Sequence, residues 1–421
     1  MGISSLFKVI KEHAPEQIIL YKLEELRGIR VAVDVSIFLY KSVMVAGNES
    51  NDWLNNFIRV FCTLKKYDID VVCIFDGPNA PEEKLIERKH RREQMQKSKN
   101  KLSDIIELRE TIADNLSNYR FDGLPNGIIN QLAIYGIEQT NEVDKILDRM
   151  TKEITKLSNQ TTGIDDTIVN QAKELMDILG IYYFTSDGEA EKLCCYFCNN
   201  HYVDAVLTDD SDVLAYGVKF FLTFKELSKT GDEIYGIHSD RLYKSLGLTY
   251  NEFRDLCILL RCDYNRHCDP SNLGHASYTI LGYPPIDDDG KKRKKPQKAV
   301  SIGPKKAWDF IQRDRSLDVI SNHLVNPEGL KYERCREIFS FTEKYMRDEK
   351  LYRNIEMESN HFQVIVDERR LRSFIDKHNI YLSINTILEA FNSGASPIDQ
   401  SNHKNDDLSV SSSYDISSDT D

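Results

Sequence analysis

The sequence predicts an α/β protein built on a mainly parallel central sheet flanked by helices. Two observations carry this expectation. Short β-branched or apolar runs at 29–35, 71–75, 181–184, 204–207 and 219–224 alternate with stretches at 52–66, 167–179 and 251–260 whose apolar residues recur at helical spacing. Acids follow several of the runs directly, at the carboxyl ends of strands, where a parallel sheet binds its ligands.

In chain order, residues 29–35 (IRVAVDV) hold one acid, Asp34, inside a strand-like run. A carboxylate there is costly unless it is hydrogen-bonded or bound to metal; the alternative is an Asp that caps the next helix. Asp52 caps the helix expected at 52–66, and the strand 71–75 (VVCIF) ends at Asp76-Gly77-Pro78. Beyond Pro81 the pattern is helical and basic to about residue 101. Helical stretches at 101–110 and 142–157 follow, around a loop-like FDGLPNG, with no strand signal, so this block is expected to stand apart from the sheet.

A helix at 167–179 ends at Gly180 and returns the chain to the strand 181–184. The turn Asp187-Gly188 opens a helix at Glu189, with Glu191 close behind. The run 204–207 (DAVL) passes directly into TDDSD, which places Asp210 and Asp212 at its carboxyl end. Later the helix 251–260 leads to Arg261-Cys262-Asp263-Tyr264. Anions gathered this closely repel, so some are protonated, or hard divalent cations sit between them, or the acids form a solvated rim.

A net charge of −12 argues against unspecific adhesion to nucleic acid, yet the basic residues are segregated. Residues 84–101 carry Lys84, Arg88, Lys89, Arg91, Arg92, Lys97, Lys99 and Lys101 against Glu87 and Glu93 alone. The run 291–306 holds eight lysines and arginines and no acid. Such patches read as localised phosphate contacts or as solvated faces. Nine cysteines without framework spacing indicate a reducing compartment. Because Cys194, Cys195 and Cys198 share a helix with Leu193 and Phe197, core packing is expected of them rather than zinc binding. No apolar run approaches the ~20 residues of a spanning helix, and the start is too polar for a signal peptide, so a soluble intracellular protein is expected.

Taken together, MGISSL, VAVDVS, VCIFDGP, DGEAEK, LTDDSDVLAYG, LCILLRCDY and SIGPKKA resemble, in order and spacing, the flap endonuclease/XPG family of structure-specific 5′ nucleases. The resemblance covers residues 1–97 and 167–315. It implies a PIN-like nuclease fold with a helical arch insertion and a helix-two-turn-helix DNA-binding element. It also implies two divalent ions, Mg2+ with Mn2+ as substitute, held by Asp34, Asp76, Glu189, Glu191, Asp210, Asp212 and Asp263. Two such ions about 4 Å apart stabilise both the attacking and the leaving oxygen of an in-line phosphodiester displacement. By the same resemblance Lys84 and Arg91 on the arch steer the scissile phosphate, with Arg88 and Arg92 as further strand contacts. Gly2 puts a small amino terminus beside the site, and Tyr40 either stacks a terminal base or packs in the core. Ser301, Gly303, Lys305 and Lys306 match the element that grips the duplex backbone, with K+ at its turn.

The implied organisation is an N-terminal nuclease region at 1–97, an arch insertion at 98–166, an internal nuclease region at 167–264, a basic loop and duplex-binding element at 265–315, a C-terminal helical region at 316–398 and a disordered Ser/Asp-rich tail at 399–421. The expected activity is Mg2+-dependent cleavage of 5′ flaps, with 5′-to-3′ exonuclease activity, in replication or repair. A 5′-to-3′ exoribonuclease and a non-catalytic junction-binding scaffold are the alternatives. Branched or 5′-flap DNA is the expected partner of a monomer; no sliding-clamp-binding motif is found near the tail. The basic run at 291–295 also reads as a nuclear-import signal, with a viral cytoplasmic replication site as the other setting. Three features depart from the family pattern. Arg261 stands where a small residue is usual, a long insertion separates Asp263 from SIGPKKA, and residues 98–166 exceed a simple arch.

Overall fold

The computed structural model describes residues 2–3, 5–46, 52–115, 119, 123–138, 142–161, 163–224, 232–265, 279–280, 300–324, 327–341 and 365–392. Helix α1 (Leu6–His13) buries Leu6, Val9 and Ile10, one face of an amphipathic turn, and leads to strand β1 (Ile19–Lys22). Strand β2 (Arg30–Asp34) runs into α2 (Val35–Ala46) with no loop between them, so Asp34 stands at the junction. Helix α3 (Asp52–Lys66) has the bounds its periodicity predicts, and β3 (Asp70–Phe75) returns to the sheet.

Helices α4 (Glu82–Asp114), α5 (Asn126–Ile134) and α6 (Val143–Thr161) then leave the sheet, and α7 (Asp166–Leu179) brings the chain back to β4 (Tyr182–Thr185). Gly180 caps α7 in the left-handed conformation, as expected. Next come α8 (Ala190–Asn199), β5 (Ala205–Leu207), the single turn α9 (Asp212–Ala215), β6 (Phe220–Thr223) and β7 (Glu233–His238). Helices α10 (Ser239–Leu246), α11 (Tyr250–Leu259), α12 (Pro304–Asp314), α13 (Tyr332–Phe339), α14 (Glu368–His378) and α15 (Ile384–Asn392) follow, with a helical turn at Leu317–Ile320 between α12 and α13.

Seven of the described strands form one sheet in the order β1-β7-β6-β5-β2-β3-β4, and Thr279–Ile280 pairs antiparallel with Val300–Ser301 in a separate two-stranded sheet. Strands β6, β5, β2, β3 and β4 are parallel, and β7 alone runs against its neighbours β6 and β1. Neither β1 nor β7 stands out in the sequence. β1 alternates half-buried and exposed residues, without the apolar run of a central strand, and β7 contains Gly236 and His238.

The pleat sends alternate residues to opposite faces. Ala32 and Val206 join a core with α1, α8, α11, α12 and α13, while Val31, Val33, Ala205 and Leu207 join a second core with α2, α3, α7, α14 and α15. Cys194, Cys195 and Cys198 are buried in the first of these. On the second face the Asn55 side-chain oxygen accepts the N–H groups of Tyr381 and Leu382, both at 3.1 Å, and pins the C-terminal pair of helices to α3.

A third core lies outside both faces. Ile105, Leu108 and Ile112 of α4 pack with Leu132 of α5 and with Ile146, Met150 and Leu157 of α6. Residues 82–114 contain no glycine or proline, so the basic stretch and the amphipathic 101–110 form one helix that runs through position 97 without a break. Among the described residues no helix is long and apolar enough to cross a membrane. The basic run at 291–299 and the tail at 399–421 lie outside the described residues, as does most of the insertion after Asp263.

Because the arch has its own core, its stability separates from that of the sheet. Ile146→Asp buries an unpaired charge at a cost of several kcal/mol. Hydrogen exchange should then show lost protection at 105–112 and 146–157 with β2 and β5 still protected; loss across both regions would mean the arch is not an independent unit.

Candidate active site

Strands β2, β3, β4 and β5 are neighbours that end at one edge of the sheet, and each delivers acids there. Asp34 is the last residue of β2, 2% exposed, and its Oδ2 accepts the Thr208 hydroxyl at 3.0 Å. Asp76 follows β3. Its Oδ2 accepts the Ser36 hydroxyl and its Oδ1 the N–H of Ala190, both at 2.9 Å, so the same carboxylate also caps α8.

The loops that carry Asp76 and Glu189 are locked backbone to backbone. Gly77 N–H donates to Gly188 O at 2.7 Å and Asn79 N–H to Asp187 O at 3.0 Å. A Cβ at Gly77 would overlap the carbonyl oxygens of Ser186 and Asp187, so only glycine permits this approach. Glu189 is the N-cap of α8 and Glu191 lies in its first turn. Beyond β5, Asp210 accepts the Asp212 N–H at 3.0 Å and so orders the turn that presents Asp212. Asp209, the residue before Asp210, points elsewhere, to Lys41 and Thr223.

Asp263 arrives from the end of α11. Its turn is fixed by Asn265, whose Oδ1 accepts from Cys262 N–H at 3.0 Å while its Nδ2 donates to Ile258 O and Leu330 O. Arg261 holds φ +75°, the left-handed region, which explains on steric grounds why a small residue suits that position.

Helix α4 closes the site from above. Lys84 Nζ lies 3.0 Å from Glu189 Oε1, 3.1 Å from Asp263 Oδ2 and 3.6 Å from Glu191 Oε1. Two turns on, Arg91 reaches Asp263 Oδ2 at 2.8 Å and Glu87 at 2.7 Å. Burial opposes the Lys84 charge, but Glu191, Glu189 and Asp263 outweigh it and hold the ammonium protonated. The acids are pushed the other way. Burial, then the charges of Asp76 and Asp210, raise Asp34 to about 8. Burial also lifts Glu191 and Asp212 well above the carboxylate range, with Lys84 opposing and neighbouring acids reinforcing.

The donor set is all oxygen and suits hard divalent cations. Asp212 is the most telling member. It is 1% exposed, and neither of its carboxylate oxygens has a hydrogen-bond partner among the described residues. Such a group is costly unless a cation meets it. Around the Lys84 ammonium the carboxylates are held apart, and among the described residues no group of acids closes on a common point as a metal shell. Lys84 stands in for such a charge.

A cleft of about 650 Å³ opens over this edge. Its floor is Asp34, Asp76, Glu189, Glu191 and Asp210; its walls are Lys84, Arg88 and Arg91 of α4, Tyr40 of α2 and Ile164. Tyr40 is partly exposed here, so it is not simply core. Gly2, φ +90°, lies against the strand ends; a Cβ there would overlap Asp210 Oδ1 and crowd Ser211, and Ile3 N–H donates to Ser211 Oγ at 2.9 Å. The remaining expected residues stand apart. Arg92 is exposed on α4 and does not line the cleft. Gly303, Lys305 and Lys306 open α12, which packs on α1 and α11 instead, and the Ser301 side chain lies outside the described set.

Several contributors escape a sequence reading. Thr208 and Ser36 are hydroxyls whose role appears only once β2 and β5 are neighbours. Tyr264 donates its hydroxyl to Glu189 Oε2, and the Tyr216 hydroxyl lies 2.7 Å from that of Tyr264. Position next to Asp263 was the one available signal for Tyr264.

A mainly parallel seven-stranded sheet with helices on both faces and acids at its strand ends defines a PIN-like nuclease fold. Residues 1–98 match the XPG N-terminal domain and residues 180–263 the XPG I-region, so over these two segments the chain is similar to the flap endonuclease/XPG nucleases. It is 27% identical over 373 residues to the probable RAD2-like endonuclease 076L of Invertebrate iridescent virus 3, covering 78% of this chain and 94% of that one. It is also 27% identical over 360 residues to flap endonuclease 1 of Aedes aegypti, covering 80% and 74%. In fold it is similar to the catalytic core of Rad2 in complex with DNA substrate, with a TM-score of 0.52 and 19% identity over 93% of this chain and 100% of that one.

The raised acids predict an inverted pH dependence. The folded protein keeps protons on Asp34 that the unfolded chain has released, so more protons are bound folded than unfolded between 3.8 and about 8. Stability in chelator should therefore fall as pH rises through that window, read as a dropping urea midpoint, and Asp34→Asn should flatten the slope. A midpoint that rises with pH would refute this charge assignment.

Proposed function

We propose that this chain is a structure-specific 5′ nuclease that cuts branched DNA, 5′ flaps foremost, with the aid of two divalent ions. The observation that carries the reading is the convergence of Asp34, Asp76, Glu189, Glu191, Asp210, Asp212 and Asp263 on one strand-end edge, with the Asp212 oxygens unpartnered among the described residues. These residues would hold Mg2+ or Mn2+. When bound, such a pair lowers the pKa of water and stabilises charge on the attacking and leaving oxygens of phosphodiester hydrolysis.

The chain's own groups do the rest. Lys84 lies against Glu189 and Asp263 and also lines the cleft, where its ammonium can meet a phosphate. There Lys84 and Arg91 grip the scissile phosphate and offset its developing charge, with Arg88 on the same wall. Tyr40 offers a ring face for stacking an unpaired base of any identity. Away from the cut, Lys305, Lys306 and the first-turn N–H groups of α12 meet the duplex backbone, with Ser301 and Gly303 shaping a turn that takes K+. Arg92, on the outer face of α4, meets the strand beyond the cleft. Exonuclease action from a 5′ end uses the same groups. The protein works as a monomer in replication or repair, in the nucleus or at a viral replication site.

Cleavage of a labelled 5′-flap duplex in Mg2+, beside the same substrate in RNA, tests the reading. Wild type should cut the DNA near the branch, and Asp210→Ala should bind it but cut at least about a hundredfold more slowly. Preference for the RNA would turn the reading to an exoribonuclease, and binding of branched DNA without any turnover to a scaffold.

A further inference from the structure

The cluster contains two buried hydroxyls that the chemistry above does not use. Tyr264, 4% exposed, donates its hydroxyl to Glu189 Oε2, and Tyr216, 2% exposed, sits with its hydroxyl 2.7 Å behind. The opposite oxygen of Glu189, Oε1, is the one that faces Lys84 at 3.0 Å. Glu189 is thus held on one side by a neutral donor and presents its other side to the cation position.

We infer that Tyr264, backed by Tyr216, is a positioning residue that fixes the Glu189 carboxylate for divalent metal. The inference rests on the reading of Glu189 as a metal ligand and deepens it. Three features support it. Both hydroxyls are buried, and with Tyr264 donating to Glu189, the 2.7 Å contact leaves Tyr216 as the donor to Tyr264. A chain of two hydroxyls is also polar at each step, so the Tyr216 O–H directed at Tyr264 strengthens the bond that Tyr264 gives to Glu189. Finally, Phe339 packs edge-on against both rings, at 4.9 Å from Tyr216 and 5.3 Å from Tyr264, so neither ring can swing away.

The same turn therefore does two jobs. Asp263 supplies a carboxylate from one residue, and the next residue braces a carboxylate from α8. Because Asn265 ties this turn to Ile258 and Leu330, the brace is anchored in the first core rather than in the cleft. A carboxylate so held has already lost its rotational freedom before metal arrives, which raises affinity without adding a ligand.

Tyr264→Phe and Tyr216→Phe remove one hydroxyl each and keep the rings. Metal binding is read without substrate, as the rise in melting temperature of the full chain on titration with Mg2+ or Ca2+. Tyr264→Phe should move the midpoint of that titration up by about tenfold. Tyr216→Phe should move it the same way by less, since it acts through Tyr264. In flap cleavage the Mg2+ optimum should rise by the same factor, with kcat recovered at high Mg2+ and KM for DNA unchanged. Unaltered titration midpoints in both variants would overturn the inference. So would a Tyr264→Phe defect that appears as a lower melting temperature and that added Mg2+ does not rescue. Should wild type fail to cut any branched DNA while the midpoints still shift, the nuclease reading falls and the brace stands.

Discussion

Repulsion among carboxylates at one edge of the sheet is the constraint on which the rest depends. Seven acids brought to one edge cannot all be ionised without a compensating positive charge, and the chain supplies one of its own in Lys84. Every other element near the edge keeps that arrangement from relaxing. Hydroxyls from Thr208 and Ser36 hold Asp34 and Asp76, and the Ala190 N–H fixes Asp76 again from the start of α8. The Gly77–Gly188 contact sets two acid-bearing loops in register. None of these contacts removes the repulsion; they convert it into a standing demand for cations.

Such a demand is tolerable because the folding energy comes from elsewhere. The two cores on the faces of the sheet bury large rings, Phe57 and Phe61 on one side and Phe197, Phe221 and Phe253 on the other, well behind the acidic edge. Their burial contributes on the order of 2–3 kcal/mol per ring, which offsets a carboxylate such as Asp212 that contributes nothing to stability alone. Division of labour between apolar cores and a strained polar edge is what local consistency rules lead one to expect at a functional site.

Much of this was legible in the sequence because the signals were local. A strand followed by an acid is readable from β-branched runs and turn residues, so Asp34, Asp76, Asp210 and Asp212 could be placed at strand ends from composition alone. Glu189, Glu191 and Asp263 gained their meaning from motif order. What the sequence withheld was whatever depends on which strands become neighbours. The edge strand β1 and its neighbour β7, the hydroxyl of Thr208 beside Asp34 and the Tyr216–Tyr264 pair all rest on contacts between residues far apart in the chain. The arch shows the same limit. Its helical stretches read as separate pieces, and only the third core reveals them as one body.

Continuity of α4 links that body to the chemistry. A helix of 33 residues spans about 50 Å, with Lys84 among the acids at one end and Ile105, Leu108 and Ile112 in the arch core at the other. It contains no hinge residue, so it behaves as a rod pivoted near its base. By geometry alone, a tilt of a few degrees at the acid end would become a sweep of several ångströms at the far end of the rod. One unbroken helix thus joins the acidic edge to the arch core, so a load on that distant surface would be felt at Lys84.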